Sequence, residues 1–284
     1  MKAALYPNFQ KPNALVCARR VCDVLESAGI EVSVSELFRH DFSDKPFVKF
    51  EDISVSAQTA DVVLAIGGDG TILRCAKFLI GTDTKLLGIN TGTLGFMAGL
   101  EADQLDKLRL LASGDYEVSE RMTLDIVHHG ENGDIVRTAL NEVSARSSSF
   151  RICDFEVYSQ EYLVGKYRAD GVLFSTPSGS TAYALSAGGP IIEPDLECIE
   201  MTLICPHSLF SRATMFSAGK HLRLTDTTSR DECMVINVDG EHFADLHENG
   251  SIEIYRGENN VKFINLIGNS FHESLCRKLC RPIK

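Results

Sequence analysis

Hydrophobic and polar positions follow two different periods along the chain, and the change falls near residue 118. In the first part, apolar runs such as "KAALY" and "DVVLAIGG" predict strands, and the segments between them carry apolar residues at helical spacing. The run from Val62 to Ile66 is apolar without a break, which is typical of a strand buried on both faces of a parallel sheet. Strands that alternate with helices predict a doubly wound α/β domain with a mostly parallel sheet over residues 1–118.

One stretch of this first part does not follow the pattern. Residues 40–57 are polar and irregular, and Pro46 lies among them. No apolar period of 2 or 3.6 extends through them. We therefore predict a loop here.

The second part alternates with a period of two. Runs such as "DFEVYSQEYLVGKY", "CMVINVDGEHF" and "VKFINLIG" predict strands, and Asn132-Gly133 between two alternating runs indicates a hairpin turn. We predict a β-rich domain over residues 119–269. The last residues, 270–284, return to helical spacing, and we expect them to pack back on the first domain.

Composition excludes some classes of function. The 284 residues carry a formal net charge of -11 and no basic run, whereas a nucleic-acid binder needs a basic surface. No apolar run approaches the roughly 20 residues that span a bilayer. The nine cysteines include no C-x-x-C pair, which favours free thiols in a reducing compartment. We expect a cytoplasmic protein that binds neither nucleic acid nor membrane.

A glycine-rich turn with an aspartate at its centre, "GGDGT", follows the apolar strand. Ligands bind at the carboxyl ends of parallel strands, and the N–H groups that open the next helix suit phosphate. Asp69 beside a phosphate suits two roles: accepting a proton from an attacking hydroxyl, or positioning Mg²⁺. The alternative is a turn aspartate that hydrogen-bonds its own backbone.

A second stretch, "DGVLFSTPSGSTAYALSAGGP" from Asp170 to Pro190, is dense in serine, threonine and glycine. Small hydroxyl side chains around glycines offer hydrogen-bond donors to a polar ligand without bulk. The alternative is a surface linker, but a linker does not carry apolar residues as regularly as this stretch does. It is a second candidate for ligand binding.

Five motifs occur together in one order: "GGDGT", "GINTGTLGFM", "NEV", the 170–190 stretch and "ICPHSLFSR". This combination resembles the NAD kinases of bacteria, and the resemblance runs from the first strand to at least "NVDGE". The first motif alone is shared with lipid kinases and related phosphofructokinases. The long hydroxyl-rich run together with "NE" is much more specific.

The resemblance implies a reaction and a set of residues. Asp69 matches the proposed proton acceptor, which activates the 2′-hydroxyl of the adenosine ribose of NAD for attack on the γ-phosphorus of ATP, and Gly70 shares that site. Asn141 and Glu142 match the pair that binds the adenine region, and Asp170 matches an aspartate on the nicotinamide side. The segment that wraps the nucleotide is matched by Thr181, Ala182, Tyr183, Ala184, Leu185 and Ser186.

Because the chain is acidic, local cationic side chains are needed to bind the phosphates of the two nucleotides. Arg151 and Arg168 align with positions where the family often places a cation or a histidine, whereas Glu241 stands where many members have glutamine. From the residues themselves, further candidates for phosphate contacts are Arg74, Lys166 and Arg212, each with the alternative of a solvated surface charge.

Two more side chains have open roles. Phe96 suits stacking against a base or packing in the core. His207 suits a structural hydrogen bond better than catalysis, since Asp69 already supplies a base.

No carboxylate or histidine cluster in the sequence forms a metal cage, so Mg²⁺ or another divalent cation is expected to arrive with ATP. The expected partners are ATP and NAD, and the resemblance suggests a homodimer or homotetramer. Two other functions stay open: a lipid or sphingoid-base kinase of the same superfamily, and a non-catalytic regulator that binds NADP. The net charge and the hydroxyl-rich stretch argue against the first, and Asp69 argues against the second.

Overall fold

The computed structural model describes residues 1–11, 13–92, 95–130, 133–149, 151–209, 211–228, 233–266, 271 and 275–277. Its strands, in chain order, are β1 Lys2–Pro7, β2 Glu31–Val34, β3 Val48–Phe50, β4 Val62–Gly67, β5 Lys85–Asn90, β6 Leu100–Glu101, β7 Glu117–Arg121, β8 Leu124–Gly130, β9 Gly133–Ala139, β10 Glu142–Ser147, β11 Cys153–Ser159, β12 Tyr162–Ala169, β13 Gly171–Ser175, β14 Cys198–Ile204, β15 Thr214–Ser217, β16 Leu222–Asp226, β17 Met234–Val238, β18 Glu241–Leu246, β19 Ser251–Arg256 and β20 Val261–Asn265. The α-helices are α1 Ala14–Ser27, α2 Ile53–Thr59, α3 Asp69–Ala76, α4 Leu110–Ser113 and α5 Tyr183–Ser186, and short 3₁₀ helices cover Glu36–Phe42, Leu105–Arg109 and Gly179–Thr181.

The chain forms two compact units. The first comprises Met1–Glu120 and the chain from Val261 onward, and the second is Arg121–Asn260. Strand β20 belongs to the strand-like run "VKFINLIG", which was predicted within the β-rich part, but it pairs in parallel with β5 of the first unit. Of the segment 270–284, predicted to pack back on the first domain, most residues lie outside the described ones.

The first unit is built on one sheet with the order β3-β2-β1-β4-β5-β20-β7, and β6 also pairs with β5. Strands β1 to β6 pair in parallel wherever they are neighbours. Every residue of β4 is buried, so both faces of this strand are covered, as its unbroken apolar run predicts. The mostly parallel α/β class predicted for this part is confirmed.

The predicted loop over residues 40–57 is wrong. The structure has a 3₁₀ helix that ends at Phe42, the short strand β3 and helix α2 in this region. Both helices begin with a side-chain cap, Ser35 accepting from the Leu37 N–H and Asp52 from the Ser54 N–H. Elements of three to seven residues are too short to show a period, so only their packing and caps reveal them.

The second unit consists of two antiparallel sheets of six strands each, ordered β15-β14-β13-β10-β17-β18 and β12-β11-β16-β19-β8-β9. Along β16 and β17 buried and half-buried positions alternate, which places one face of each sheet in a shared apolar core. The predicted β-rich class of this part is confirmed. The predicted hairpin joins β8 to β9, with Gly130 opposite Gly133, and Asn132 lies outside the described residues.

Strand β13 differs from its neighbours because all five of its residues are buried. Helix α5 packs against it, and the 176–190 segment that follows β13 contains that helix. The hydroxyl-rich stretch is therefore a packed part of the second unit and not a surface linker.

The described cysteines are free thiols. No helix in the described part of the chain is long and apolar enough to cross a membrane.

Candidate functional site

The order of the first sheet marks one place for a ligand. The chain adds β2 and β3 on one side of β1 and then crosses to add β4 and β5 on the other. Such a reversal leaves a crevice at the carboxyl ends of β1 and β4, where α/β sheets bind ligands. Asn8 follows β1 here, and its Nδ2 donates to Thr71 Oγ1 of α3 at 3.1 Å. Gly67 is the last residue of β4 and packs directly against Thr71, because a Cβ on it would come 2.4 Å from Thr71 Oγ1.

Asp69 opens helix α3 in this crevice. Its Oδ2 accepts a hydrogen bond from the Phe96 N–H at 2.9 Å, and its Oδ1 accepts one from the Met97 N–H at 3.2 Å. Gly95 lies directly against the carboxylate, because a Cβ at Gly95 would come 2.0 Å from Oδ1. The aspartate is thus held by the backbone of Phe96 and Met97, which lie 27 and 28 residues later in the chain. Two donors at two oxygens fix the orientation of the carboxylate.

Three other predicted residues lie near this turn. Gly70 is exposed in α3 and has open space where a Cβ would stand. Arg74 is exposed in the last turn of α3, about 7.5 Å along the helix axis from Asp69 at the usual rise per residue. The side chain of Phe96 is half-buried, while its N–H binds Asp69.

A hydroxyl that sequence reasoning did not single out lies close by. Thr91 follows β5, and its N–H donates to the Gly67 carbonyl at 3.0 Å. Its Oγ1 is buried and has no hydrogen-bond partner in the part of the chain the structure describes. Buried hydroxyls are normally paired, so Thr91 is a candidate contact for a ligand or a water.

In the second unit, Asn141 and Glu142 lie where the chain enters β10. Both are more than nine-tenths buried, at 7% and 8% exposed. Asn141 Oδ1 and Glu142 Oε2 have no hydrogen-bond partner among the described residues. Burial first, and the charge of Asp239 second, raise the pKa of the Glu142 carboxyl from an ordinary 4.5 to about 7. Two buried acceptors without donors suit a ligand that brings N–H or O–H groups.

This raised pKa has a consequence for stability. Between pH 4.5 and 7 the folded protein holds the Glu142 proton and the unfolded chain has lost it, so stability falls as the pH rises through this window. Glu142→Gln removes that loss. At each pH we compare the free energy of unfolding of the variant with that of the parent. This difference should favour the variant by about 3 kcal/mol more at pH 8 than at pH 4.5.

Urea unfolding of both proteins at the two pH values measures this difference. Glu161→Gln, at an exposed position of the same unit, is the matched control and should show no such change. An equal difference between Glu142→Gln and its parent at both pH values would contradict the assignment.

The 176–181 turn is packed onto the same segment. The Thr176 N–H donates to the Asn141 carbonyl at 2.8 Å, and Thr176 Oγ1 donates to the Leu140 carbonyl at 2.6 Å. The Gly179 N–H in turn donates to Thr176 Oγ1 at 3.0 Å. A Cβ at Gly179 would come 2.1 Å from the Asn141 carbonyl oxygen, so only glycine fits. The 176–181 turn and the Asn141–Glu142 pair are therefore packed tightly against each other.

Glu200 on β14 supports the following segment and was not found by sequence reasoning. It is fully buried, and it accepts hydrogen bonds from Ser175 Oγ at 3.0 Å and Thr202 Oγ1 at 2.6 Å. Burial raises the pKa of its carboxyl. A Cβ at Gly189 would come 1.9 Å from its Oε1, so the end of the hydroxyl-rich stretch rests on this side chain.

A cleft of about 480 Å³ in the second unit brings several predicted residues together. Asp170, Arg151 and Tyr183 line it, with the serines 147–149 and Ile204. Arg146, absent from the sequence-based candidates, lines it too, and its guanidinium donates to the Tyr183 hydroxyl at 3.2 Å. The cleft thus combines two guanidinium groups, one carboxylate and several hydroxyls.

The rest of the predicted segment follows the turn. Ala184 is buried; Thr181, Ala182 and Leu185 are half-buried; and Ser186 is exposed. Within it, Thr181 Oγ1 donates to the Ser178 carbonyl at 3.3 Å. Glu241 is exposed at the start of β18, opposite Val238.

Arg168 lies in a different cleft, of about 560 Å³, together with Lys166, His207 and Arg212. Its guanidinium makes a two-pronged ion pair with Asp154, at 2.8 and 2.9 Å. Lys166 pairs with Glu156 at 2.6 Å. The His207 N–H donates to the Arg168 carbonyl at 2.9 Å. A phosphate at Arg168 therefore has to compete with a carboxylate already in place.

No group of three or more histidine, cysteine, aspartate or glutamate side chains that could share a metal ion is found among the described residues.

Comparisons with known proteins agree with these features. The model of the ATP-NAD kinase N-terminal domain matches residues 4–116, and that of the C-terminal domain matches residues 140–266. An NAD kinase of Citrifermentans bemidjiense is 31% identical over 281 residues, which cover 98% of each chain.

Solved structures share the fold. A crystal structure of yeast NADH kinase complexed with NADH matches with a TM-score of 0.89 at 23% identity, over 99% of this chain and 87% of that one. An NAD kinase from Archaeoglobus fulgidus in complex with ATP matches with a TM-score of 0.74 at 24% identity, over 97% and 99%. The expectation of an NAD kinase, first raised by the order of the motifs, is confirmed by the family models and the full-length relative. The chain therefore belongs to the ATP-NAD kinase family.

Proposed function

We propose that this protein transfers the γ-phosphoryl group of ATP to the 2′-hydroxyl of the adenosine ribose of NAD and so produces NADP. The observation that carries the proposal is the Asp69 carboxylate, oriented by two backbone N–H groups at the carboxyl end of β4. Family membership supports the same reaction.

In this reaction the 2′-oxygen forms a bond to the γ-phosphorus while the bond from that phosphorus to the bridging oxygen breaks and ADP leaves. The proton of the hydroxyl goes to Asp69 as the new bond forms, because a hydroxyl becomes acidic only late in the transfer. The protein contributes chiefly by holding the reacting groups in line. An oriented carboxylate suits both tasks.

The divalent cation enters with the substrate. In the described part of the chain no carboxylate cluster suits a metal, whereas Mg²⁺ keeps several waters and is commonly carried on nucleotide phosphates. We therefore assign Mg²⁺ to the Mg·ATP substrate, where it neutralises charge on the phosphates.

Asn141 and Glu142 are proposed to hydrogen-bond the dinucleotide. Their buried acceptors need donors, and the adenine amino group and the ribose hydroxyls of NAD are donors. The 181–186 segment is proposed to pack along the bound nucleotide.

The cleft lined by Arg146, Arg151, Asp170 and Tyr183 is proposed for the nicotinamide side of NAD. Its two guanidinium groups supply positive charge for the pyrophosphate in a chain of net charge -11. The Asp170 carboxylate suits the positive charge of the oxidised nicotinamide ring.

The test of this function is direct. The purified protein is incubated with Mg·ATP and NAD, and NADP is measured with an NADP-specific dehydrogenase. We expect one NADP for each ADP formed, and loss of the reaction when the divalent cation is chelated. Absence of NADP with every phosphoryl donor tried would overturn the proposal.

We also propose that the protein is a homodimer or homotetramer. Both antiparallel sheets end in strands with an unpaired edge in the described structure, β15 and β18 in one and β9 and β12 in the other, and such edges can pair with another chain. Light scattering gives the mass in solution, and a monomer at assay concentration would contradict this proposal.

A further inference from the structure

The hairpin between β17 and β18 turns through two residues, Asp239 and Gly240. Val238 lies opposite Glu241, and both turn residues have positive φ, at 48° and 78°. Turns of this kind favour Asp-Gly, since both positions require the left-handed region. The turn accounts for the presence of Asp-Gly, but it does not account for where the aspartate side chain goes.

The Asp239 carboxylate collects three backbone N–H groups from a distant part of the chain. Its Oδ2 accepts from Leu140 at 2.9 Å, and its Oδ1 accepts from Asn141 at 2.8 Å and from Glu142 at 3.2 Å. The Asp239 N–H donates in return to the Glu142 carbonyl at 2.9 Å. The residue is only 9% exposed. Burying a carboxylate is costly unless it is hydrogen-bonded, and here three amides hold it.

The three amides belong to the segment that carries the two unpaired acceptors. Asn141 Oδ1 and Glu142 Oε2 are buried and have no partner among the described residues. A protein gains nothing in stability from such acceptors, since each costs desolvation. Their backbone is nevertheless fixed on one side by Asp239 and on the other by Thr176, whose N–H binds the Asn141 carbonyl.

We propose that Asp239 is a positioning residue for NAD: its carboxylate fixes the backbone of residues 140–142 so that Asn141 Oδ1 and Glu142 Oε2 face the donors of the dinucleotide. This rests on the proposed function in one respect, that the Asn141–Glu142 pair contacts NAD. Asp239 itself touches no substrate in this scheme. Its effect is to keep two acceptors in place before the ligand arrives, which lowers the ordering cost of binding.

The charge of Asp239 has a second effect on the same pair. The charged group that faces Glu142 from a neighbouring element is Asp239 of the hairpin turn, and its charge adds to burial in raising the pKa of Glu142. An ionised carboxylate accepts hydrogen bonds better than a protonated one. NAD affinity is therefore expected to rise as the pH rises through the Glu142 pKa, about 7. Removal of the Asp239 charge should move this rise to lower pH.

Two variants separate the carboxylate from the turn. Asp239→Asn keeps the shape but places an amide group against at least one N–H of residues 140–142. Asp239→Gly removes the side chain and suits a turn with positive φ at least as well as aspartate does. If Asp239 only makes the turn, the glycine variant should behave as the parent. If Asp239 positions the Asn141–Glu142 pair, both variants should bind NAD more weakly than the parent.

The closing experiment measures NAD binding by calorimetry from pH 5.5 to 8.5, alongside steady-state kinetics. We expect both variants to weaken NAD binding about tenfold or more and to raise KM for NAD by a similar factor, with a smaller change in kcat. In both variants the pH midpoint of binding should fall below that of the parent. Asp245→Asn, an exposed position on β18 that pairs with His242, is the matched control and should leave both readouts unchanged.

Several results would overturn the inference. One is parental affinity and an unmoved pH midpoint in a folded Asp239→Gly. Another is an equal fall in kcat, in affinity for ATP and in thermal stability without a pH shift, which would indicate a merely structural role. Failure of the parent to make NADP is a separate outcome that concerns the proposed reaction, and the calorimetric comparison of NAD binding stands without turnover. If Asp239→Asn fails to fold, Asp239→Gly carries the test.

Discussion

Replacing Asp69 by asparagine is expected to leave the protein folded and able to bind NAD, and to lower kcat by roughly 10²- to 10⁴-fold. The asparagine side chain has the same shape but does not accept the proton of the 2′-hydroxyl. Its amide group also faces one of the two N–H donors that hold the carboxylate, Phe96 or Met97, which costs about 1–3 kcal/mol of stability. Initial rates of NADP formation at saturating substrates measure the loss, with thermal unfolding as the check on the fold.

Asp115→Asn is the matched control, since it removes the charge of an exposed aspartate from the same unit. It should keep parental kcat. The kinetic constants also separate two roles of Asp69. A fall in kcat with unchanged NAD affinity supports proton transfer, whereas a raised KM with parental kcat would show that Asp69 only fixes the ribose.

Gly179→Ala is expected to be the most damaging small substitution in the second unit. The added methyl group would lie 2.1, 2.5 and 2.8 Å from the carbonyl oxygen, carbonyl carbon and Cα of Asn141. All three are backbone atoms, so no side chain can rotate away. The turn has to shift, and the Thr176 bonds to Asn141 and Leu140 break with it. We expect a loss of about 1–3 kcal/mol in the free energy of unfolding, the usual cost of overpacking.

NAD binding should weaken at least tenfold in the same variant, because the segment that moves carries Asn141 and Glu142. Urea unfolding and calorimetric titration with NAD measure the two effects. Gly219→Ala is the control in the same unit: a Cβ there meets nothing within 4 Å. The prediction is contradicted if Gly179→Ala keeps the stability and the NAD affinity of the parent. The 176–181 turn would then accommodate the methyl group without displacing Asn141 and Glu142.

Much of the fold follows from the sequence because each signal is local. The unbroken apolar run of β4 predicts a strand covered on both faces, and all of its residues are buried. Strict alternation predicts the antiparallel sheets. The partner of β20 does not follow from the sequence in this way, because its run "VKFINLIG" is as strand-like as its neighbours, although it pairs in parallel with β5. Period alone does not name a strand's partner.

The candidate site shows the same limit. The glycine-rich turn and the hydroxyl-rich stretch stand out as short, unusual strings of residues. Asp239 does not, because Asp-Gly between two strands indicates only a turn, whereas its partners lie 97 to 99 residues away. Arg146 and Glu200 each lie within a strand, and only the structure shows that one lines a cleft and the other supports Gly189.

The position of β20 in the chain also determines which of the two units can be completed first during synthesis. The unit that carries Asp69 begins at Met1, yet β20, the neighbour of β5 on the side opposite β4, is available only when the chain from Val261 has been synthesised. The second unit is continuous from Arg121 to Asn260, so all of its strands have left the ribosome before the first sheet can be completed. The amino-terminal unit, the one that usually folds first during synthesis, is therefore the one completed last. A chain that stops before Val261 contains every strand of both antiparallel sheets but lacks β20, a strand of the sheet in which β4 leads into Asp69.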